Sequence, residues 1–347
     1  MKTFRSLVAA MAALTSLAPA TLHAQPTTLR LHHMLSAQSA FSRLGLEKWA
    51  RKIERDSHGQ IRVELHPSME LGGKPADLYD QAREGTVDLS WIVLGYTPDR
   101  FPSSSTFELP FMVRSARQTS RALERYCETR CTADFSEVKV IAWHSHGPAL
   151  IHASKPIERL EDLAGLTLRP GSAAIGQFLG DAGANTVAMP APNVYAALRD
   201  GKIEATTIPW SSEVNTDKPV GDFLHFHTAA GGSRGLYTQT FALVMNPAAY
   251  QALPAKLRAV IDRNSGLVAA TLFGAAMDRS DRLGRKIAQA RGDRIITLDA
   301  TESARWRERA TPVVAAWRAR MTARGLAADA MLAQANALLD GTAESGR

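Results

Sequence analysis

The sequence predicts an α/β protein folded as two lobes, and three observations carry that reading. Strand-like alternation and helix-like apolar spacing follow one another along most of the chain, the order that builds parallel-sheet α/β units. The first 24 of 347 residues read as an export leader, and the 323 that remain suffice for two hydrophobic cores. From Lys256 to Arg291, 36 residues without proline keep apolar positions at helical spacing, which predicts a helix long enough to brace two lobes.

The leader, MKTFRSLVAAMAALTSLAPATLHA, sets Lys2 and Arg5 before an apolar stretch from Leu7 to Ala18 and small residues at Ala20 and Ala24. Cleavage after Ala24 and a periplasmic destination are expected. The apolar stretch is shorter than the roughly 20 residues a spanning helix needs.

TLRLHHML then alternates as a strand, and Phe41, Leu44, Leu46, Trp49 and Ile53 fall on one helical face that stops at Gly59. QIRVELHP repeats the strand signal, a turn at Gly72 leads to the short helix ADLYDQAREG, and TVDLSWIVLG is a third strand. Pro98, Pro102 and Pro110 punctuate a loop before the polar-faced helix SARQTSRALERYCETR. VKVIAWHSHGPALIHAS predicts two strands kinked at Gly147-Pro148, and Leu166 to Leu168 a short strand ending at Arg169. SAAIGQFLGDAGA and NVYAALRDGKI are helices, EATTIPW a short strand and GLYTQTFALVMN a long one. Pro254 opens the long helix, RIITLD adds a strand, and a pair of helices completes the C-terminal region.

The formal charge of +7 falls to +5 without Lys2 and Arg5, and basic residues are interleaved with acids without a run of five. That pattern argues against a nucleic-acid partner. Cys127 and Cys131 are too few for a closed zinc site, and export favours a local disulfide, provided the helix carrying them ends there.

No GxSxG elbow is read, no HExxH, GxxxxGK[ST] or GxGxxG pattern occurs, and no cofactor is expected. His144 and His146, two apart on a strand, face one side; without an acid or cysteine nearby in sequence they read as cleft-lining rather than metal-binding. His32 and His33 point to opposite faces of the first strand. Arg169 has two readings: a surface ion pair with Glu161 or Asp162, or a planar fork at the carboxyl end of a strand, where open α/β sheets bind ligands and a carboxylate matches it. The helix starting near Ser172 aims free N–H groups at the same place.

The chain resembles the solute-binding proteins of tripartite ATP-independent periplasmic (TRAP) transporters, of the DctP type. The resemblance rests on LGGKPADLYDQAREGTVDLSW with FELPFM, on LEDLAGLTLRPGSAAIGQFLGDAGANTVAMPAPNVYAALRDGKIEATTIPW, and on FALVMNPAAYQALPAKLRAVID. It implies a periplasmic-binding-protein fold (type II-like), two α/β lobes that close over a cleft and are braced by a long helix. One lobe would comprise 25–146 plus about 240–280, the other 147–239 plus much of 281–347. It also implies that Arg169 clamps a substrate carboxylate, that an organic acid is delivered to membrane permease subunits, and that no reaction is catalysed. Ile208 stands where sialic-acid-binding members carry asparagine, and GPALIHA lacks a second arginine that some members use, which argues against a polyhydroxylated sugar acid. Trp91, Tyr96, Phe178, Trp210 and Tyr237 resemble ligand-lining positions, which favours a flat or apolar body such as an aromatic acid or a short branched 2-oxo or 2-hydroxy acid, with C4-dicarboxylates behind them. Tyr237, His33 and His146 are candidate polar contacts. Two other readings stay open: a secreted enzyme working through His33, His144 or His146, and a binding protein that signals to a receptor.

Overall fold

The computed structural model describes residues 25–214 and 219–341; the expected leader lies outside them. In chain order the strands are β1 (Thr27–His32), β2 (Ile61–His66), β3 (Leu89–Val93), β4 (Lys139–Ser145), β5 (Ala149–Ala153), β6 (Thr167–Arg169), β7 (Asn185–Thr186), β8 (Ala205–Pro209), β9 (Phe226–Ala229), β10 (Thr240–Met245) and β11 (Arg294–Thr297). The helices are α1 (Glu47–Asp56), α2 (Leu78–Glu84), α3 (Ala116–Arg130), α4 (Ala173–Asp181), α5 (Val194–Arg199), α6 (Pro247–Ala252), α7 (Ala255–Arg263), α8 (Leu267–Arg291), α9 (Ala300–Arg309), α10 (Thr311–Ala323) and α11 (Ala328–Asp340).

Two sheets divide the molecule. The first runs β2-β1-β3-β10-β4, with β1 parallel to β2 and β3, and β10 antiparallel to β3 and β4. The second runs β11-β9-β5-β8-β6-β7, with β5 antiparallel to both neighbours and the other pairs parallel. The kink expected at Gly147-Pro148 is a crossing between them, since β4 belongs to the first sheet and β5 to the second. The return crossing splits the expected strand GLYTQTFALVMN: Gly235 and Tyr237 make isolated bridges to Val113 and Ala149, and only Thr240–Met245 joins a sheet. β9 was not foreseen; its four residues are too short a signal to separate from the loop around them.

The expected 36-residue helix is broken. Asn264 gives its carbonyl to Trp49 Nε1 at 2.8 Å and its side-chain amide to Val260 and Asp56, and Gly266 takes a left-handed φ of 62°. This local competition ends α7 and starts α8. The 25 residues of α8, about 37 Å at helical rise, still cross from one sheet to the other. Its first half packs on α3, where Asp278 accepts from the backbone N–H groups of Ala116 (2.7 Å) and Arg117 (3.1 Å). One turn later Asp281 accepts from Ser211 N at 2.7 Å on the second-sheet side. Gly284 lets the helix meet the turn Trp210–Glu213 so closely that a Cβ would lie 1.9 Å from the Trp210 carbonyl.

The C-terminal region forms three helices, divided at Ala310 ahead of Pro312. Of these α9 packs on the second sheet's core through Trp306. The other two return to the first: Trp317, Met321, Met331 and Leu339 join its core, and Trp317 Nε1 donates to Ser105 Oγ at 2.8 Å. Much of 281–347 was expected in the second lobe; amphipathic spacing tells that a helix is buried, not against which lobe. Cys127 and Cys131 form a disulfide where α3 ends, with Cys131 as its cap residue.

Candidate functional site

β6 ends at Arg169, Pro170 stops the strand and Ser172 caps α4. The Arg169 side chain is only 1% exposed. Nε donates to the Met189 carbonyl at 3.0 Å and Nη1 to the Thr207 carbonyl at 3.3 Å, while Nη2 is buried without a partner among the described residues. Two carbonyls thus fix the guanidinium and leave its Nη2 group without an acceptor among the described residues. Tyr237 supports it: its hydroxyl donates to the same Thr207 carbonyl at 2.8 Å. Gly171 admits this arrangement because a Cβ there would fall 1.7 Å from that hydroxyl.

The two crossings meet beside this arginine. His146 Nε2 accepts from Gln239 N at 3.0 Å, and Thr238 Oγ1 donates to the His146 carbonyl at 2.8 Å. Nδ1 lies 2.6 Å from the Gly147 carbonyl, which fixes the Nδ1–H tautomer. Burial, aided by the Arg169 charge, pushes His146 down to about 4, so the ring is neutral at pH 7.

Between the sheets lies a cavity of about 770 Å³. Its apolar wall includes Met34, Met69, Trp91, Ile208 and Phe241, and its polar groups include Tyr96, His146, Ser211, Ser212 and Gln239. Trp91 stacks on Phe241 with centroids 4.9 Å apart and donates Nε1 to His144 Nε2 at 2.8 Å, so the indole is held in one orientation. Burial pushes His144 down to about 3. Two hydrogen bonds span the gap between lobes: Ala191 N donates to Tyr96 Oη at 2.8 Å, and Ala40 N to the Val214 carbonyl at 3.0 Å.

Of the residues singled out from sequence, Trp91, Tyr96 and His146 line this cavity. Arg169 and Tyr237 sit one layer behind, bonded to Thr207 next to lining Ile208, with Arg169 also bonded to Met189 next to lining Pro190. The other three lie elsewhere. Phe178 packs between Phe111 and Trp306 in the second core. Trp210 covers His152 and His227, whose Nδ1 atoms are 2.8 Å apart. His33 lines a separate cavity of about 730 Å³ between α1 and β2. Ser211, Ser212 and Gln239 were missed, Gln239 because it lay inside an apparent strand and the serines because short polar residues after a strand read as a turn. The pattern Gly231-Gly232-Ser233-Arg234-Gly235 matches GxSxG, but it lies in an exposed loop that opens no helix and is no nucleophile elbow. Among the described residues no group of three or more His, Cys, Asp or Glu could hold a metal ion.

The DctP family, bacterial extracellular solute-binding protein family 7, matches residues 32–320. The chain is 37% identical to a TRAP solute-binding protein from Rhodoferax ferrireducens T118 solved with copurified benzoate, with a TM-score of 0.88 over 92% of this chain and 100% of that one. It is 35% identical to a marine metagenome TRAP solute-binding protein specific for aromatic acid ligands, solved with 3-hydroxybenzoate, at TM-score 0.88 over 92% and 99% of the two chains. A Bordetella bronchiseptica relative with bound (R)- and (S)-mandelate is 26% identical, at TM-score 0.84 over 91% and 100%. Among curated sequences, the outer membrane transporter protein TsaT of Comamonas testosteroni is 26% identical over 91% of this chain and 92% of that protein.

Proposed function

The chain belongs to the DctP family of bacterial extracellular solute-binding proteins, and from that premise we propose that it captures an aromatic carboxylate in the periplasm and presents it to a TRAP permease. The unpaired, buried Nη2 of Arg169 carries this reading. A carboxylate entering the cleft supplies the missing acceptor, and closure strengthens the pair as water leaves. The Trp91–Phe241 stack and Ile208 supply a flat apolar wall for a ring. Relatives with bound benzoate and 3-hydroxybenzoate support the same chemistry.

The moving bodies in this reading are the two sheets with their helices, hinged at His146–Pro148 and Leu236–Gln239, with α8 as brace. The Tyr96–Ala191 and Ala40–Val214 hydrogen bonds belong to the closed form. Among the described residues no helix is long and apolar enough to cross a membrane, and residues 1–24 are read as the export leader.

An enzyme acting through His33, His144 or His146 finds little support. His33 faces another cavity, His144 Nε2 is taken by Trp91, and His146 bonds backbone groups.

The test is calorimetry of the purified protein with benzoate and its neutral isostere benzamide. Benzoate is expected to bind at least about 100-fold more tightly, because the amide leaves the buried guanidinium without a counter-charge. Equal affinities reject the arginine clamp; consumption of the ligand rejects the binding-protein reading.

A further inference from the structure

We propose that Ser211 and Ser212 read a hydroxyl on the ring of the bound acid, so that the preferred ligand is a hydroxylated aromatic acid rather than an unsubstituted one. This rests on the aromatic-acid reading above and adds what the relatives leave open, since one was solved with benzoate and another with 3-hydroxybenzoate.

Both serines line the cavity, and they are 1% and 4% exposed. Among the described residues Ser212 Oγ has no hydrogen-bond partner, and Ser211 Oγ has none but the Asp281 carboxylate beside it. A buried hydroxyl left unmatched is unfavourable, and adjacent serines that line one cavity point to a polar group that arrives with the ligand.

Their placement is not that of a loose loop. The Ser211 N–H is held by Asp281 at 2.7 Å and the Ser211 carbonyl accepts from Val214 N at 3.1 Å. Gly284 seats the turn directly on α8, and the Val214 carbonyl accepts Ala40 N from the opposite lobe. The Ser211 backbone is thus satisfied while the Ser212 hydroxyl is not. Among the lining groups His146 is engaged at both ring nitrogens by Gly147 and Gln239, Tyr96 Oη already accepts from Ala191 N, and the Gln239 side-chain amide donates to the Gly171 carbonyl. Ser212 thus offers an unmatched hydroxyl, and Ser211, beside Asp281, keeps its lone pairs to accept, next to a wall formed by Met34, Met69, Trp91 and Phe241. Each serine hydroxyl both donates and accepts, so one phenolic O–H donates to the first and accepts from the second.

The test is calorimetry with benzoate and with 2-, 3- and 4-hydroxybenzoate on the wild type, Ser211→Ala, Ser212→Ala and the double variant, melting temperature serving as the fold control. The wild type is expected to bind at least one hydroxybenzoate about tenfold more tightly than benzoate, and the double variant to bind that isomer and benzoate within about twofold of each other. Wild-type affinities that rank benzoate with or above all three isomers overturn the inference without variants, and a preference that survives the double substitution overturns it as well. In both cases the aromatic-acid reading stands. Failure of all four acids to bind overturns that reading and the inference with it.

Discussion

Arg169 and Tyr237 donate to one oxygen, the carbonyl of Thr207, at 3.3 and 2.8 Å. Two donors from different elements converge on β8, and the guanidinium is held there with Nη2 left over. Tyr237→Phe removes the stronger of these bonds but leaves the carbonyl its bond from Arg169, so the cost in stability is expected near the low end, about 1 kcal/mol. Benzoate affinity should fall roughly three- to tenfold as the fork loosens, about 0.6 to 1.4 kcal/mol. Urea unfolding and calorimetry on the same variant read the two effects separately.

Tyr96 ties the lobes by accepting from Ala191 N. Tyr96→Phe keeps the ring and removes the acceptor. The expected outcome is a ligand-free population shifted toward the open form, seen as a larger radius of gyration by small-angle scattering, with affinity lowered about fivefold.

Gly284→Ala places a methyl 1.9 Å from the Trp210 carbonyl where α8 crosses to the second lobe. Because the obstacle is backbone, the brace must separate from the turn. A destabilisation of about 2 kcal/mol or more is expected, and denaturant midpoints measure it.

Stability should be dome-shaped in pH, for opposing reasons. Burial raises Glu108 and Asp281 to about 7 and Glu124 to about 8, from ordinary values of 4.5 and 3.8. A carboxyl raised in the folded state stabilises fully below its unfolded pKa, and that contribution is lost as pH rises through 7 to 8. Burial lowers His33, His144 and His152 to about 3 and His146 to about 4 from 6.5. Imidazoles held neutral stabilise fully above 6.5, and that contribution is lost as pH falls toward 4 and 3. The melting temperature should therefore peak between about pH 5 and 6.5 and fall on both sides. Glu124→Gln, which keeps an oxygen for the Trp143 N–H, should flatten the alkaline limb by about 1–3 kcal/mol and leave the acid limb unchanged.

Most of the strand and helix order was legible because period-2 and period-3.6 apolar patterns survive wherever an element buries one face. What the sequence concealed were interruptions and partners. Asn264 and Gly266 break the long helix through side-chain bonds and a left-handed φ that apolar spacing does not register. Residues 235–239 keep a strand-like pattern although they cross between sheets, so Gln239 was overlooked. At the site, Arg169 stood out because a charged side chain ends a buried strand. Phe178 and Trp210 also fell at ligand-like positions, yet both pack into cores, since an aromatic residue at such a position serves either purpose. Ser211 and Ser212 carry no sequence signal; their interest comes from being buried at the cavity, with the Ser212 hydroxyl unmatched among the described residues.

The most direct test of the arginine clamp is a crystal structure of the protein with an aromatic acid bound. The expected result is a carboxylate oxygen within hydrogen-bonding distance, about 2.9 Å, of Arg169 Nη2, with the ring against Trp91 and Ile208. A carboxylate directed away from β6, with Nη2 still unpaired, would contradict the clamp.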